Sequence, residues 1–166
     1  MVFVTGDCHG EYGRFSAKVF GIQKEMDRGD LVIVAGDFGY WDRSKEQDDP
    51  GLKEKKRELE RVGALYRINH LSWWKEEMPD EAQRREGLGC MEEHGWKCDY
   101  IISHCAPSSV QAVFSLGDFK PDPLTGYLEE IRRRCRYIHW FFGHYHMDRR
   151  IDDRHTVLYR DIMRIL

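Results

Sequence analysis

Four short apolar runs in this 166-residue chain break off into turns built from glycine, aspartate and histidine. Val2-Phe3-Val4-Thr5 runs into Gly6-Asp7-Cys8-His9-Gly10, and Leu31 to Ala35 runs into Gly36-Asp37. Tyr100 to Ser103 ends at His104, and Tyr137 to Phe142 runs into Gly143-His144-Tyr145-His146. Runs this short, rich in β-branched and aromatic residues, read as buried strands rather than helices. Between them the period changes. Glu11 to Met26 carries Phe15, Val19, Phe20 and Ile22 at near-helical spacing, and Leu124 to Arg134 also reads as a helix. Lys53 to Val62 and Glu76 to Glu93 are charged helical stretches, with Pro79 and Asp80 suited to the first turn of the second. Ala64 to Ile68 fits a strand or a last helical turn, and Thr156 to Leu166 holds a final strand. This alternation predicts an α/β domain with at least partly parallel strands.

The length suits one domain spanning residues 1–166, and neither a repeat nor a linker interrupts it. Hydrophobic residues at 41% suffice for one core, and charged residues at 33% solvate its surface. A formal charge of −3 provides no basic field for nucleic acid. No run approaches the roughly 18 apolar residues of a membrane span, so no membrane partner is expected. The opening MVFVTGDCHG lacks the basic region of a signal peptide. Five cysteines without a C-x-x-C pair fit cytosolic thiols, and the expected location is cytoplasmic.

Ligand sites in α/β domains gather at the carboxyl ends of strands. Here those ends deliver Asp7, His9, Asp37, His104, His144 and His146. Oxygen and nitrogen donors without thiolates suit Mn²⁺, Fe²⁺, Zn²⁺ or Ni²⁺. Six such residues exceed the four ligands of a structural zinc and are enough for two divalent ions sharing a carboxylate. Two ions about 4 Å apart stabilise both the attacking and the departing oxygen at phosphorus.

In this order Gly6-Asp7-Cys8-His9-Gly10, Gly36-Asp37-Phe38-Gly39, Ser103-His104 and Gly143-His144-Tyr145-His146 resemble the sequence blocks of calcineurin-like metallophosphoesterases. The resemblance implies a β-sandwich flanked by helices (αββα), shortened in this chain. It implies that Asp7, His9 and His146 hold one metal, His104 and His144 the other, and that Asp37 bridges them. The implied reaction is attack by a metal-bridging hydroxide on a phosphate ester. The Gly-His-x-His ending favours phosphodiester or nucleotide-type substrates.

One block departs from the family pattern. The family carries Gly-Asn-His, whose Asn binds the second metal and whose His assists the leaving group. The single Asn here is Asn69, in Arg67-Ile68-Asn69-His70-Leu71-Ser72-Trp73-Trp74. Either Asn69-His70 is that block with Ile68 in place of glycine, or the block is lost and Asn69-His70 belongs to another segment. On the first reading Asn69 is a metal ligand and His70 the catalytic proton donor. On the second, Asn69 can still be brought into the vacant position. The missing block also motivates a rival function, a metal-binding scaffold with weak or no hydrolysis whose self-association covers the strand edges that shortening exposes.

The remaining motifs have plainer readings. Trp73 and Trp74 suit core or lid packing ahead of a stacking wall for a nucleobase, and Cys8 should point into the core. Cys105 and Pro107 shape the rim beside His104. His94, His139 and His155 lack a strand-end glycine and are read as surface or core. Arg132-Arg133-Arg134 is a solvated helix end favoured by the helix dipole.

Overall fold

The computed structural model describes residues 1–39, 78–116 and 119–166. The expected elements at Lys53 to Val62 and Ala64 to Ile68 lie outside these residues, as do Asn69, His70, Trp73 and Trp74. Among the described residues, two mixed sheets and three α-helices are formed. The first sheet places β1 (Val2–Thr5) between β2 (Leu31–Val34) and β7 (Ile162–Arg164). β1 runs parallel to β2 and antiparallel to β7, with Val4 opposite Ile33 and Met163. In the second sheet β4 (His139–Phe142) lies between β3 (Tyr100–Ile102) and β6 (His155–Val157), parallel to both. β5 (Arg149–Arg150) closes the edge antiparallel to β6.

Alternation along each strand decides which face meets which layer. Val4 of β1, Phe141 of β4 and Leu158 form one buried cluster, with Ile33, Tyr100, Ile102 and Ile165 packed around it. The two sheets therefore share a core. Trp140 and Phe142, on the opposite face of β4, join Val110, Phe114, Leu128 and Ile131 from the helices. Phe3, on the far side of β1, meets Phe20 edge-on with centroids 5.0 Å apart.

The helices begin where side chains can satisfy their free amides. α1 (Glu81–Glu93) starts at Asp80, which exchanges side-chain hydrogen bonds with Gln83. α3 (Pro123–Arg134) starts at Asp122, which does the same with Thr125, and Pro123 occupies its first position. Leu128 and Ile131 turn inward at helical spacing, followed by Cys135. Its basic end is paired: Arg132 and Arg133 bind Glu129, and Arg134 binds Glu130.

β5 is unexpected, and the tail read as one final strand carries β7 and most of β6. Two helical readings also differ from expectation. Glu11 to Met26 is not one helix but two short 3-10 turns, Tyr12–Phe15 and Gly21–Glu25. Gly13 and Gly21 interrupt the segment, each costing a helix about 1 kcal/mol, and Phe20 is its one buried apolar residue while Val19 is exposed. The other is α2 (Ser108–Ser115), an unexpected helix behind His104 that buries Val110 and Phe114 one turn apart. β1 fills its apolar run, β2 and β3 stop one residue short at Val34 and Ile102, and β4 begins two residues late at His139.

Candidate metal centre

The ends of β1, β2, β3 and β4 are stitched together before any ligand is considered. Cys8 and His9 both donate their amides to the Asp37 carbonyl at 2.8 Å, tying the first turn to the second. Gly143 donates to the His104 carbonyl at 3.0 Å, tying the fourth to the third. Asp7 is fully buried at the junction. Its Oδ1 accepts from the Asp37 amide at 3.1 Å, and its Oδ2 accepts from the His144 amide at 2.6 Å.

The strand-end glycines are explained by this closeness. A Cβ at Gly143 would lie 2.7 Å from the Ala35 carbonyl oxygen and 2.9 Å from Asp7 Oδ1. One at Gly36 would collide with the Asp7 carboxylate and the His104 ring.

Four imidazoles surround Asp7 in two facing pairs. His9 Nε2 is 2.9 Å from His146 Nε2, and His144 Nδ1 is 2.9 Å from His104 Nε2. The Asp7 carboxylate lies 3.3 Å from His104 Nδ1 and 3.8 Å from His146 Nε2. Asp37 Oδ2 lies 3.9 Å from His9 Nε2. His9, His144 and His146 have left-handed backbones, with φ of 46°, 70° and 50°. Non-glycine residues adopt that conformation at a cost, and such strain persists where surrounding structure enforces it. His9 and His146 bring their donors into one group with Asp7, and His144 brings its donor into another with His104.

Electrostatics acts on the donors in both directions. Burial would raise the Asp7 carboxyl, but His104 and the two amides outweigh it and hold it below the ordinary range. Burial would lower His104, but the Asp7 carboxylate outweighs it and raises it. His146 is pushed down, by burial first and by the neighbouring His9, despite Asp7. A neutral imidazole is the form that binds a metal.

His146 is also braced from outside. Tyr159 stacks on it with centroids 4.8 Å apart and planes 18° from parallel. Arg14 donates to the Tyr159 carbonyl, and Asp148 accepts the amides of Tyr159, Arg160 and Asp161 at 2.7 to 3.0 Å.

The donors fall into three overlapping groups that could hold a metal ion: Asp7, His9 and His146; Asp7, Asp37 and His104; and His104, Cys105 and His144. Within each group the ligand atoms lie within 4.8 Å of one another. These residues fit divalent ions. They combine a buried anion, imidazoles facing each other nitrogen to nitrogen, and a buried His104 Nδ1 without an aligned hydrogen-bond partner.

Asp7, His9, Asp37, His104, His144 and His146 are thus brought together, while Asn69 and His70 lie outside the described residues. Cys8 is buried and its sulfur faces the Gly6 carbonyl. His155 bonds Tyr137 and Asp152 in the core, His139 bonds Thr156, and His94 ends α1. Sequence reasoning missed two residues. Tyr159 had no motif to mark it, whereas Cys105 adjoins His104 and was read as rim. No protein-family model, curated protein or solved structure matches the chain.

Proposed function

We propose that this chain is a dinuclear metal-dependent phosphoesterase of the calcineurin-like type, acting on phosphodiester or nucleotide-type substrates in the cytoplasm. The observation that carries the reading is the cluster of overlapping donor groups around the buried Asp7 carboxylate, assembled from four strand ends. The family's sandwich is supported by two mixed sheets joined through Val4, Phe141 and Leu158. A reducing compartment is supported by five cysteines, none in a disulfide. No helix among the described residues is long and apolar enough to cross a membrane.

Asp7, His9, Asp37 and His146 would hold one ion, and Asp37, His104 and His144 the other. Two divalent ions supply charge neutralisation for a phosphate group and acidification of water. The protein's own part is preorganisation. The amides of Asp37 and His144 fix the Asp7 carboxylate, so it needs no reorientation when ligands arrive. Tyr159 and Asp148 keep the His146 ring in register with His9.

A nucleotide or aryl group has a surface to lie on. Tyr12 and Phe38 are exposed, with ring centroids 5.1 Å apart, and Phe38 directly follows Asp37. Such a pair suits stacking on a base.

The test is turnover of a generic aryl phosphodiester with added Mn²⁺, then with chelator, alongside a count of bound metal. Metal-dependent turnover above that of the free ion is expected. Two metals bound without turnover would replace this reading with the non-hydrolytic scaffold.

A further inference from the structure

The donor groups are unequal in chemistry. Asp7, His9 and His146 offer one oxygen and two nitrogens, whereas His104, Cys105 and His144 offer two nitrogens and a sulfur. We propose that Cys105 is a thiolate ligand of the second site, making the centre asymmetric. On this proposal, which rests on the metal centre above, His104, Cys105 and His144 take a thiophilic ion such as Zn²⁺, and the site of Asp7, His9 and His146 takes Mn²⁺ or Fe²⁺.

Three observations carry it. The sulfur of Cys105 and nitrogens of His104 and His144 lie within 4.8 Å of one another, a spread that one ion can span. The two imidazoles already face each other at 2.9 Å, with nitrogen donors converging beside the sulfur. The backbone around Cys105 is held on both sides. Ser103 Oγ donates to the Cys105 carbonyl at 2.6 Å and accepts from Trp140 Nε1 at 2.8 Å. The next amide, Ala106, donates to the Tyr145 hydroxyl at 3.2 Å, which in turn donates to Gln111 Oε1 at 3.3 Å. Outer groups of this kind orient ligands in metal sites.

The chemistry follows from donor softness. Thiolate and imidazole select zinc and its neighbours, while carboxylate suits manganese and magnesium. On ligation the Cys105 thiol loses its proton to solvent and forms a sulfur–metal bond, with no change in oxidation state. The sulfur also contributes a negative charge that a neutral third donor would not.

Cobalt(II) titration of the full chain tests this, because a thiolate ligand produces a near-ultraviolet sulfur-to-cobalt charge-transfer band. The expected result is two cobalt ions bound with that band present in the parent. In Cys105→Ser the band should vanish, one ion should bind as before, and affinity for the second should fall at least about tenfold, since even losing an outer-shell partner costs that much. Zinc should likewise lose its advantage over Mn²⁺ in competition for the second site. Cobalt bound with ligand-field bands but without charge transfer would overturn the Cys105 assignment and leave the metal centre standing. A band unchanged in Cys105→Ser, with Cys8→Ala removing it, would overturn it too. No cobalt binding to the parent would overturn both the ligand and the centre.

Discussion

Asp7 Oδ2 accepts a 2.6 Å hydrogen bond from the backbone amide of His144, 137 residues further along the chain. The bond links the first and last ligand turns, and the second carboxylate oxygen reaches Asp37 in the neighbouring turn. One buried side chain therefore holds three strand ends in register. The same side chain belongs to two of the donor groups that could hold a metal ion.

Asp7→Asn should accordingly injure both. The substituted amide keeps the shape but must turn an N–H₂ donor toward one of two backbone donors. An unsatisfied buried group of this kind costs about 1–3 kcal/mol, and the anion that attracts metal is gone. Urea unfolding with chelator present isolates the structural part, and metal stoichiometry reads the rest. Wild-type stability and two bound ions in Asp7→Asn would contradict this account.

Glycine substitutions should divide by location. Gly36→Ala sets a Cβ against the Asp7 carboxylate and the His104 ring, so stability and metal binding should fall together. Gly89 lies inside α1 with open space where a Cβ would go. Gly89→Ala should raise stability by about 0.5–1 kcal/mol and leave metal binding unchanged. Thermal unfolding of the two variants checks both signs.

Acid should weaken the contact between α2 and α3. Burial would raise the Glu129 carboxyl, but the Arg132 guanidinium and the Ser109 hydroxyl and amide outweigh it, holding it at about 2. The folded value lies below the ordinary 4.5, so the contribution is fully present above about pH 4.5. It is lost as pH falls from there toward 2, and amounts to at most about 3 kcal/mol. Glu129→Gln should be less stable at pH 7 and show a flatter decline below pH 4.5. An identical acid limb in both proteins would remove Glu129 from the explanation.

Strands and their terminal donors were legible because short β-branched runs ending in Gly-Asp or Gly-His carry their meaning locally. β1, β2, β3 and β4 lie within the expected runs for that reason. The Glu11 to Met26 segment was not legible, because its apolar spacing mimics a helix while its glycines and a single buried apolar residue, Phe20, do not sustain one. α2 was hidden because eight residues whose buried apolar positions are Val110 and Phe114, beside the polar Gln111 and Ser115, form too brief a pattern. In the site, the motif residues themselves were readable, whereas Cys105 beside one was read as rim and Tyr159, brought in by tertiary contact, carried no signal. Tyr159 reaches His146 only through the packing of Arg14 and Asp148.

Substrate preference should depend on Phe38. Its ring is 54% exposed and rests against Tyr12, beside the Asp37 carboxylate on the same turn. If that pair receives a nucleobase or aryl group, Phe38→Ala should raise KM for such diesters while kcat changes little, since stacking is present in ground and transition states alike. Base–aromatic stacking is worth about 1–3 kcal/mol, and an exposed ring should give the low end, about a 5- to 10-fold rise in KM. A small alkyl phosphodiester that cannot stack supplies the control, and its KM should not move. Phe38 also accepts a backbone hydrogen bond from Gly10 at 3.3 Å through its carbonyl, which alanine retains. The turn carrying Asp37 should therefore survive the substitution, with metal stoichiometry unchanged. Equal losses on both substrates would mean that Phe38 supports the Asp37 turn and contributes nothing to substrate choice.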